Sequence, residues 1–181
     1  MSNTSKMFTE TPPTHLAVLA VCEALREEDR QEFGALMPRA TGALLADHFQ
    51  QMKNRAIVWR MFGHVDHGAI ALLGIWQTWP GVCEAGMVAT DKFPLISTSM
   101  SIYLKRYIVP ALMECGVRRV EVRAMKQLTR NCQWIEWLGA RHEGDAALLG
   151  SGGETYAQYA WLNEAAVMKQ EEIRDVCAYG K

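Results

Sequence analysis

The last third of the chain contains VRRVEVR (residues 117–123), TRNCQWIEWL (129–138), RHEG (141–144) and TYAQYAWL (155–162). The first segment alternates apolar and charged residues, which is typical of a half-buried strand. The second places Ile135 and Leu138 on one helical face and is followed by Gly139, a residue that ends helices. The last two segments flank a glycine-rich connection, as in a β-hairpin. This stretch therefore predicts a strand, a helix, a glycine turn and two further strands.

The preceding two thirds predict helices first and then a run of strands. Residues 15–25 are apolar at every second or third position and fit either a strand or a short helix. An acidic segment, residues 26–33, has its carboxylates where a helix N-terminus favours them. Thr41 can cap an amphipathic helix that runs to Lys53. Three strands are then predicted, over residues 55–65, 69–78 and 82–90.

Turn signals and one proline organise the middle of the chain. The three predicted strands are separated by the turns Asp66-His67-Gly68 and Trp79-Pro80-Gly81, which favours an antiparallel meander. Residues 96–115 predict a long helix in which Pro110 produces a kink or a break. Residues 164–176 predict a helix after the last strand.

Composition narrows the class of protein. A chain of 181 residues with 49% hydrophobic residues can bury the core of one domain, and a net charge of −1 makes nucleic-acid binding unlikely. Five cysteines without a paired CxxC spacing argue against zinc and a disulfide framework, and no metal site is predicted. No apolar run reaches the roughly 18–20 residues of a membrane span. The predicted organisation is an N-terminal segment (1–14) that forms a flexible arm or an extended segment laid on a neighbour, one domain (15–162) and a C-terminal helical extension (163–181).

The helix end over residues 134–140, followed by Glu143-Gly144, resembles the closing segment of the GNAT superfamily of N-acetyltransferases. In that family a helix ends in a leucine-glycine turn that leads into the last strand pair, and the predicted order of elements matches the family order over almost the whole chain. The resemblance implies an α/β (α+β) fold with a mixed, mainly antiparallel central sheet flanked by helices.

The acetyl-CoA loop that the family would place before the long helix is altered in this sequence. Family members hold the pyrophosphate on a glycine-containing loop, because the backbone must approach the phosphates closely. Residues 90–101 contain no glycine, Pro94 removes one N–H donor, and Asp91 adds a negative charge. The hydroxyls of Ser97, Thr98 and Ser99 favour helix capping but can still donate hydrogen bonds to an anion. If the site is active, the resemblance implies that the cofactor-binding residues are Leu95, Ile96, Ser97, Thr98, Ser99 and Met100, together with Asn131.

The family's polar catalytic positions are also changed. The pantetheine-binding asparagine aligns with Leu128, with Asn131 nearby, and the tyrosine that protonates the leaving thiolate aligns with Ile135. Glu84 remains as a candidate general base, and Tyr159, or Tyr156 on the same strand, as a candidate proton donor to the thiolate. We therefore expect no efficient acetyltransferase activity and no bound cofactor. If the chain is active, the expected cofactor is acetyl-CoA.

A narrower resemblance links the chain to small GNAT-like internal virion or core proteins of short-tailed bacteriophages. It rests on residues 26–32 (REEDRQE), 73–76 (LGIW), 90–91 (TD) and 134–140 (WIEWLGA). It implies a virion structural or assembly protein that contacts other virion proteins or itself, found in the host cytoplasm during assembly and then in the particle. The predicted attachment elements are the Pro12-Pro13 arm, the hairpins of Trp76 and Trp79, and the C-terminal helix. The alternative is an acetyl-CoA-dependent N-acyltransferase that acts on a host or phage target.

Overall fold

Seven strands form one mixed sheet in the computed structural model, which describes residues 7–163. The spatial order is β1-β2-β3-β4-β5-β7-β6, and every neighbouring pair is antiparallel except β4 and β5, which are parallel. The strands are β1 Phe8–Thr11, β2 Ala56–His64, β3 Gly68–Trp79, β4 Val82–Ala89, β5 Arg119–Met125, β6 Arg141–Ala146 and β7 Tyr156–Leu162. The predicted mixed, mainly antiparallel sheet is confirmed.

Helices cover both faces of this sheet. They are α1 His15–Glu23, α2 Glu27–Leu36, α3 Gly42–Lys53, α4 Ser97–Tyr103, a π segment Leu104–Ile108, α5 Val109–Glu114 and α6 Thr129–Trp137. Helices α1 and α3 bury Val21 and Phe49 against Leu72 and Val88 of the sheet. On the opposite face, α4 and α5 pack against Leu73, one residue along β3 from Leu72. Because successive strand residues point to opposite faces, β3 can be apolar throughout and bury both sides.

Part of the N-terminal segment, for which a flexible arm and an extended segment were both open, is an extended strand. Residues Phe8–Thr11 form an edge strand that pairs with β2 in antiparallel register. The Phe8 ring stacks on Phe62 with 5.7 Å between centroids, and Glu10 pairs with Arg60 at 2.6 Å. The first strand of the fold therefore lies within the predicted arm. Of residues 15–25, for which strand and helix both remained open, His15–Glu23 form helix α1, and the Thr14 hydroxyl caps it by accepting from Ala17 N–H.

The predicted long helix over residues 96–115 is interrupted before Pro110. Proline has no backbone N–H, so the carbonyl of Arg106 loses its usual partner four residues later, and the chain widens into the π segment just before this point. Buried Ser101 fixes the helix to α6, because its hydroxyl donates to Ser97 O at 2.6 Å and accepts from Trp134 Nε1 at 2.8 Å. The interruption places Leu104 and Ile108 toward the cavity described below.

The remaining predictions concern turns, termini and metals. Gly139 adopts φ +99°, the left-handed conformation that ends α6 and starts the last strand pair. The predicted helix over residues 164–176 lies outside the described residues. Within residues 7–163 no cluster of side chains could hold a metal ion. The predicted turn Asp66-His67-Gly68 joins β2 to β3. In the same range, no helix has the length and apolarity needed to cross a membrane.

Candidate functional site

The two parallel strands of the sheet separate after a short paired stretch. Pairing between β4 and β5 covers only Val82–Glu84 and Arg119–Glu121, although both strands continue for several residues. Hydrogen bonding alternates along a strand, and Cys83 bonds toward β5, so the backbone N–H and C=O groups of Ala85 and Met87 point into the gap. The gap therefore presents an unpaired strand edge inside the molecule.

A cavity of about 240 Å³ occupies this gap and reaches both faces of the sheet. Its side toward α4, α5 and α6 is almost entirely apolar. That side is lined by Ala85, Met87, Leu104, Ile108, Leu112, Val120, Val122, Trp134, Ile135 and Leu138, with Asn131 as the polar exception. Its side toward α2 is lined by Arg26, Asp29, Glu32, Trp76, Glu84, Arg123 and Tyr156. The cavity thus joins an apolar half to a half that carries the ionisable groups.

Helix α2 holds the two separated strand ends with a pair of carboxylates, which we call the α2 clamp (Asp29 and Glu32). Asp29 Oδ2 accepts from Ala89 N–H of β4 at 2.6 Å, and Glu32 Oε1 accepts from Met125 N–H of β5 at 2.6 Å. Residues three apart lie on the same face of a helix, so one face of α2 reaches both strands. The clamp satisfies two edge donors that the separation of the strands would otherwise leave unpaired.

Of the two carboxylates of the α2 clamp, only Asp29 is paired with a cation among the described residues. Arg26 Nη2 donates to Asp29 Oδ1 at 2.8 Å, and the Arg26 guanidinium lies over the Phe93 ring, 4.9 Å from its centroid. Arg26 Nε is buried and has no hydrogen-bond partner within residues 7–163. Burial raises the pKa of Asp29, against the opposing effects of Arg26 and the Ala89 N–H. Burial likewise raises the pKa of Glu32 to about 7, and the Asp29 charge acts in the same direction.

A tryptophan forms one wall of the α2 side. The Trp76 indole lies across two facing glycines, because a Cβ at Gly74 or at Gly86 would come within 2.8 Å of the ring. Trp76 Nε1 donates to Glu84 Oε2 at 3.4 Å. Glycines at both positions are therefore needed for the indole to lie flat on the sheet and border the cavity.

The predicted catalytic residues separate in the structure. Glu84 lines the cavity on the α2 side. Tyr159 does not line it; it is 3% exposed and packs with Cys132 and Ala157 beneath α6. Tyr156, two residues earlier, lines the cavity and donates from its hydroxyl to Glu32 O at 2.7 Å. Because β7 alternates between the two faces of the sheet, Tyr156 and not Tyr159 contacts the α2 clamp.

The predicted cofactor residues fall into two groups. Asn131 lines the cavity, and so does Ile135 at the family's tyrosine position. The stretch from Leu95 to Met100 lies outside the cavity lining, and the side chains of Ile96 and Met100 are buried in the core. The N–H groups of Leu95, Ile96 and Met100 already bond to Lys92, Phe93 and Ile96. Those of Ser97, Thr98 and Ser99 have no acceptor in the described part of the chain.

Sequence reasoning missed Asp29 and Glu32 as site residues. Both belong to the acidic segment 26–32, which was interpreted as a helix start and as part of a family pattern. The available signal was the spacing, because Arg26, Asp29 and Glu32 recur every three residues and share one helical face. That α2 buries the acid Asp29 along with Ala35 became visible only with the strand separation opposite the helix.

The sequence matches no protein-family model and no curated protein. Solved structures match over most of the chain. A phosphinothricin acetyltransferase of the GNAT superfamily from Sinorhizobium meliloti, in complex with AcCoA, has a TM-score of 0.66 at 11% identity, over 86% of this chain and 88% of that one. An acetyltransferase of the GNAT family from Bacillus anthracis has a TM-score of 0.63 at 14% identity, over 87% and 96%.

A third structure extends the likeness. The spermidine N-acetyltransferase from Vibrio cholerae, in complex with CoA and spermine, has a TM-score of 0.67 at 8% identity, over 90% of this chain and 99% of that one. Identities at this level establish the architecture alone. The chain has the fold of the GNAT acetyltransferases.

Proposed function

We propose that the chain is an acyl-CoA-dependent N-acyltransferase. The observation that carries the proposal is the gap between β4 and β5, where Ala85 and Met87 present unpaired backbone groups beside an apolar lining. The acyl-bearing arm of acyl-CoA is an extended chain with two amide groups. Such a chain can add to an open strand edge through backbone hydrogen bonds, as peptides do in β-augmentation. The structural neighbours, which are acetyltransferases, favour this function over a purely structural one.

The two halves of the cavity suit the two reactants. Acyl-CoA would supply an activated thioester, and the apolar half under α5 and α6, with Asn131 as a side-chain donor and acceptor, would hold its arm. Water is excluded there by Ile135, Leu138 and Leu112, all of them at most 6% exposed. The α2 half, with Glu84 and Glu32, would receive the amine acceptor. An amine reaches this side without crossing the apolar half.

The phosphate end of the site departs furthest from the family pattern. A helix start can bind an anion through its free N–H groups. In the described part of the chain, the amides of Ser97, Thr98 and Ser99 have no acceptor, and Asp91, in the loop before them, is exposed. We expect the arm, and not the phosphates, to contribute most of the binding free energy.

Calorimetry with acetyl-CoA tests the proposed function. We expect a Kd in the micromolar range, which corresponds to roughly −8 kcal/mol. The Ala85→Trp substitution places a bulky side chain beside the open edge of β4 and is expected to weaken binding by at least about tenfold, or roughly 1.4 kcal/mol. Ala20→Trp is the matched control, because Ala20 is exposed on α1, away from the cavity.

Two results would count against the acyltransferase. One is the absence of any binding heat at millimolar acetyl-CoA. The other is equal affinity of the wild type, Ala85→Trp and Ala20→Trp, which would place the ligand outside the gap.

A virion structural or assembly role is the second candidate function. Large apolar side chains on the surface favour it: Leu16 is 75%, Trp79 72% and Leu148 79% exposed. Of the predicted attachment elements, Trp79 stays available, whereas Trp76 is 8% exposed and borders the cavity. The Pro12-Pro13 segment connects β1 to α1, and the C-terminal helix lies outside the described residues.

Mass spectrometry of purified phage particles tests this role. A structural protein is expected at several copies per particle. Normal abundance in infected cells together with absence from particles would exclude a virion component and leave the acyltransferase.

A further inference from the structure

Glu32 lines the cavity and has one carboxylate oxygen that makes no hydrogen bond within residues 7–163. We propose that Glu32 accepts the proton of a primary ammonium substrate bound on the α2 side, which rests on the N-acyltransferase function proposed above. Glu84, the base candidate read from the sequence, would then help to hold the ammonium without taking its proton.

The hydrogen bonds of the α2 clamp single out Glu32. Asp29 uses both carboxylate oxygens, one on Arg26 and one on Ala89 N–H. Glu32 uses Oε1 on Met125 N–H, and Oε2 makes no hydrogen bond within residues 7–163. The side chain lines the cavity, and the Tyr156 hydroxyl fixes the backbone beneath it. Glu32 is thus held in place and still has a lone pair to offer.

The titratable and charged groups around Glu32 come from five elements. Helix α2 contributes Asp29 and its N-cap Arg26, β4 contributes Glu84, β5 contributes Arg123, β7 contributes Tyr156, and α6 contributes Cys132, whose pKa is raised by burial and also by the Glu32 charge. Arg26, the cation whose charge acts on the pKa of Glu32, is bonded to Asp29. Burial raises the pKa of Glu32 to about 7, so near neutral pH the carboxylate can both take a proton and return it to solvent.

The same side of the cavity has an entrance and a surface for a cation. Leu36 and Leu149 line the cavity and are 43% and 39% exposed, which marks an opening between α2 and the β6–β7 connection. That connection rests on α2 through the bond from Ser151 N–H to Ala35 O at 2.9 Å. One face of the Trp76 indole lies on glycines, and the ring borders the cavity beside Glu84. An indole and a carboxylate together attract an ammonium group, and the leucines suit a short alkyl chain.

Acyl transfer from the thioester to the amine is balanced in atoms and charge when Glu32 accepts the first proton. The ammonium gives one proton to the Glu32 carboxylate, and the freed nitrogen lone pair forms a C–N bond to the thioester carbonyl carbon. The C–S bond then breaks and its electron pair goes to sulfur. The thiolate takes a second proton from the former amine nitrogen, and Glu32 releases its proton to solvent. The products are an amide, a thiol and one proton.

The pH profile of acetyl transfer to n-butylamine tests this role, with released thiol as the signal. We expect wild-type kcat to fall as pH drops below about 7, because Glu32 becomes protonated. Glu32→Gln keeps an oxygen for the Met125 N–H but cannot accept a proton. It is expected to lower kcat by about 10²–10⁴-fold and to abolish this pH dependence, with unchanged acetyl-CoA affinity. Glu84→Gln, the matched control, is expected to raise KM and to keep the pH dependence.

A second measurement needs no turnover. In protein labelled with carbon-13 at glutamate carboxyls, the signal absent from Glu32→Gln belongs to Glu32. An ammonium bound beside it is expected to lower the pKa of Glu32 by about one when n-butylamine is added. A merely structural carboxylate would titrate identically with and without the amine.

The outcomes separate this proposal from the function on which it rests. If calorimetry detects no binding of acetyl-CoA, both the acyltransferase function and the role of Glu32 are overturned. Normal acetyl-CoA binding overturns this proposal alone if n-butylamine leaves the Glu32 titration unchanged, or if Glu32→Gln keeps the wild-type pH profile. If the pH dependence of kcat is lost in Glu84→Gln and kept in Glu32→Gln, the proton acceptor is Glu84 and not Glu32.

Discussion

Replacement of Asp29 by alanine is expected to lower the free energy of unfolding by about 3–5 kcal/mol. Asp29 is 1% exposed and binds both Arg26 and the Ala89 N–H, so its removal leaves a guanidinium whose side chain is 15% exposed and a buried donor without hydrogen-bond partners. Arg26 Nε already lacks a partner within residues 7–163, so the guanidinium would retain little compensation. Chemical denaturation followed by tryptophan fluorescence measures the loss.

Two companion variants identify the cause. Asp29→Asn keeps an oxygen for the Ala89 N–H but removes the charge beside Arg26, and is expected to cost about 1–3 kcal/mol. Glu27→Ala removes an acid of the same helical turn whose pairing with Arg30 is exposed, and is expected to cost at most about 1 kcal/mol. A loss under about 1 kcal/mol for Asp29→Ala would contradict the clamp as a stabilising contact.

The Glu32→Gln variant is expected to be more stable than the wild type at alkaline pH, by on the order of 2–3 kcal/mol. The pKa of Glu32 is raised in the folded protein from 4.5 to about 7. Between these values the folded state binds more protons than the unfolded state, so wild-type stability falls as pH rises from about 4.5 to about 7. Glutamine does not titrate, and its amide oxygen can still accept from the Met125 N–H. The difference between the proteins should therefore vanish near pH 4 and reach its maximum above about pH 7.

Denaturation curves at several pH values measure this difference. Burial also raises the pKa of Asp29, and Asp29 is present in both proteins, so the part of its contribution that does not depend on the Glu32 charge cancels in the comparison. Glu32→Ala is the control, because it removes the charge and the acceptor together. It should be less stable than Glu32→Gln at every pH. A constant difference between the wild type and Glu32→Gln across the pH range would contradict the raised pKa.

Together these variants separate two roles of α2, stabilisation of the fold by Asp29 and the proposed proton transfer by Glu32. Asp29 acts on the fold, through Arg26 and the end of β4. Glu32 closes the end of β5 at a cost in stability, because its carboxylate is kept where ionisation is unfavourable. A group retained at such a cost is a candidate for function, and for this reason the proposed proton transfer is assigned to Glu32.

Most of the fold could be predicted from the sequence, because the relevant signals are local. Alternation of apolar and charged residues predicted β5, turn signals separated β2, β3 and β4, and Gly139 and Thr41 marked a helix end and a helix start. The N-terminal strand was missed because Phe8–Thr11 has only four residues, too few for a periodic pattern. Its pairing with β2 depends on Phe62 and Arg60, which are about fifty residues away.

The candidate site was predicted only in part, since its members lie far apart in the chain. Glu84 and Asn131 were identified by family position and do line the cavity. Tyr159 does not line the cavity and Tyr156 does, because the face of a strand residue depends on sheet register. The clamp residues were not identified, since a helix pattern does not reveal what lies opposite it.

The sequence by itself determined the order of elements, the turns between the strands and the absence of glycine from the loop before α4. These features follow from the torsional preferences and hydrophobic spacing of neighbouring residues. Only the tertiary structure decided where β4 and β5 separate, which donors the separation frees, and that Asp29 and Glu32 of α2 occupy two of them. Those contacts join residues 60 and 93 positions apart. Burial, and the raised pKa of Glu32 that follows from it, arise from the packing of the whole chain and have no local signature in the sequence.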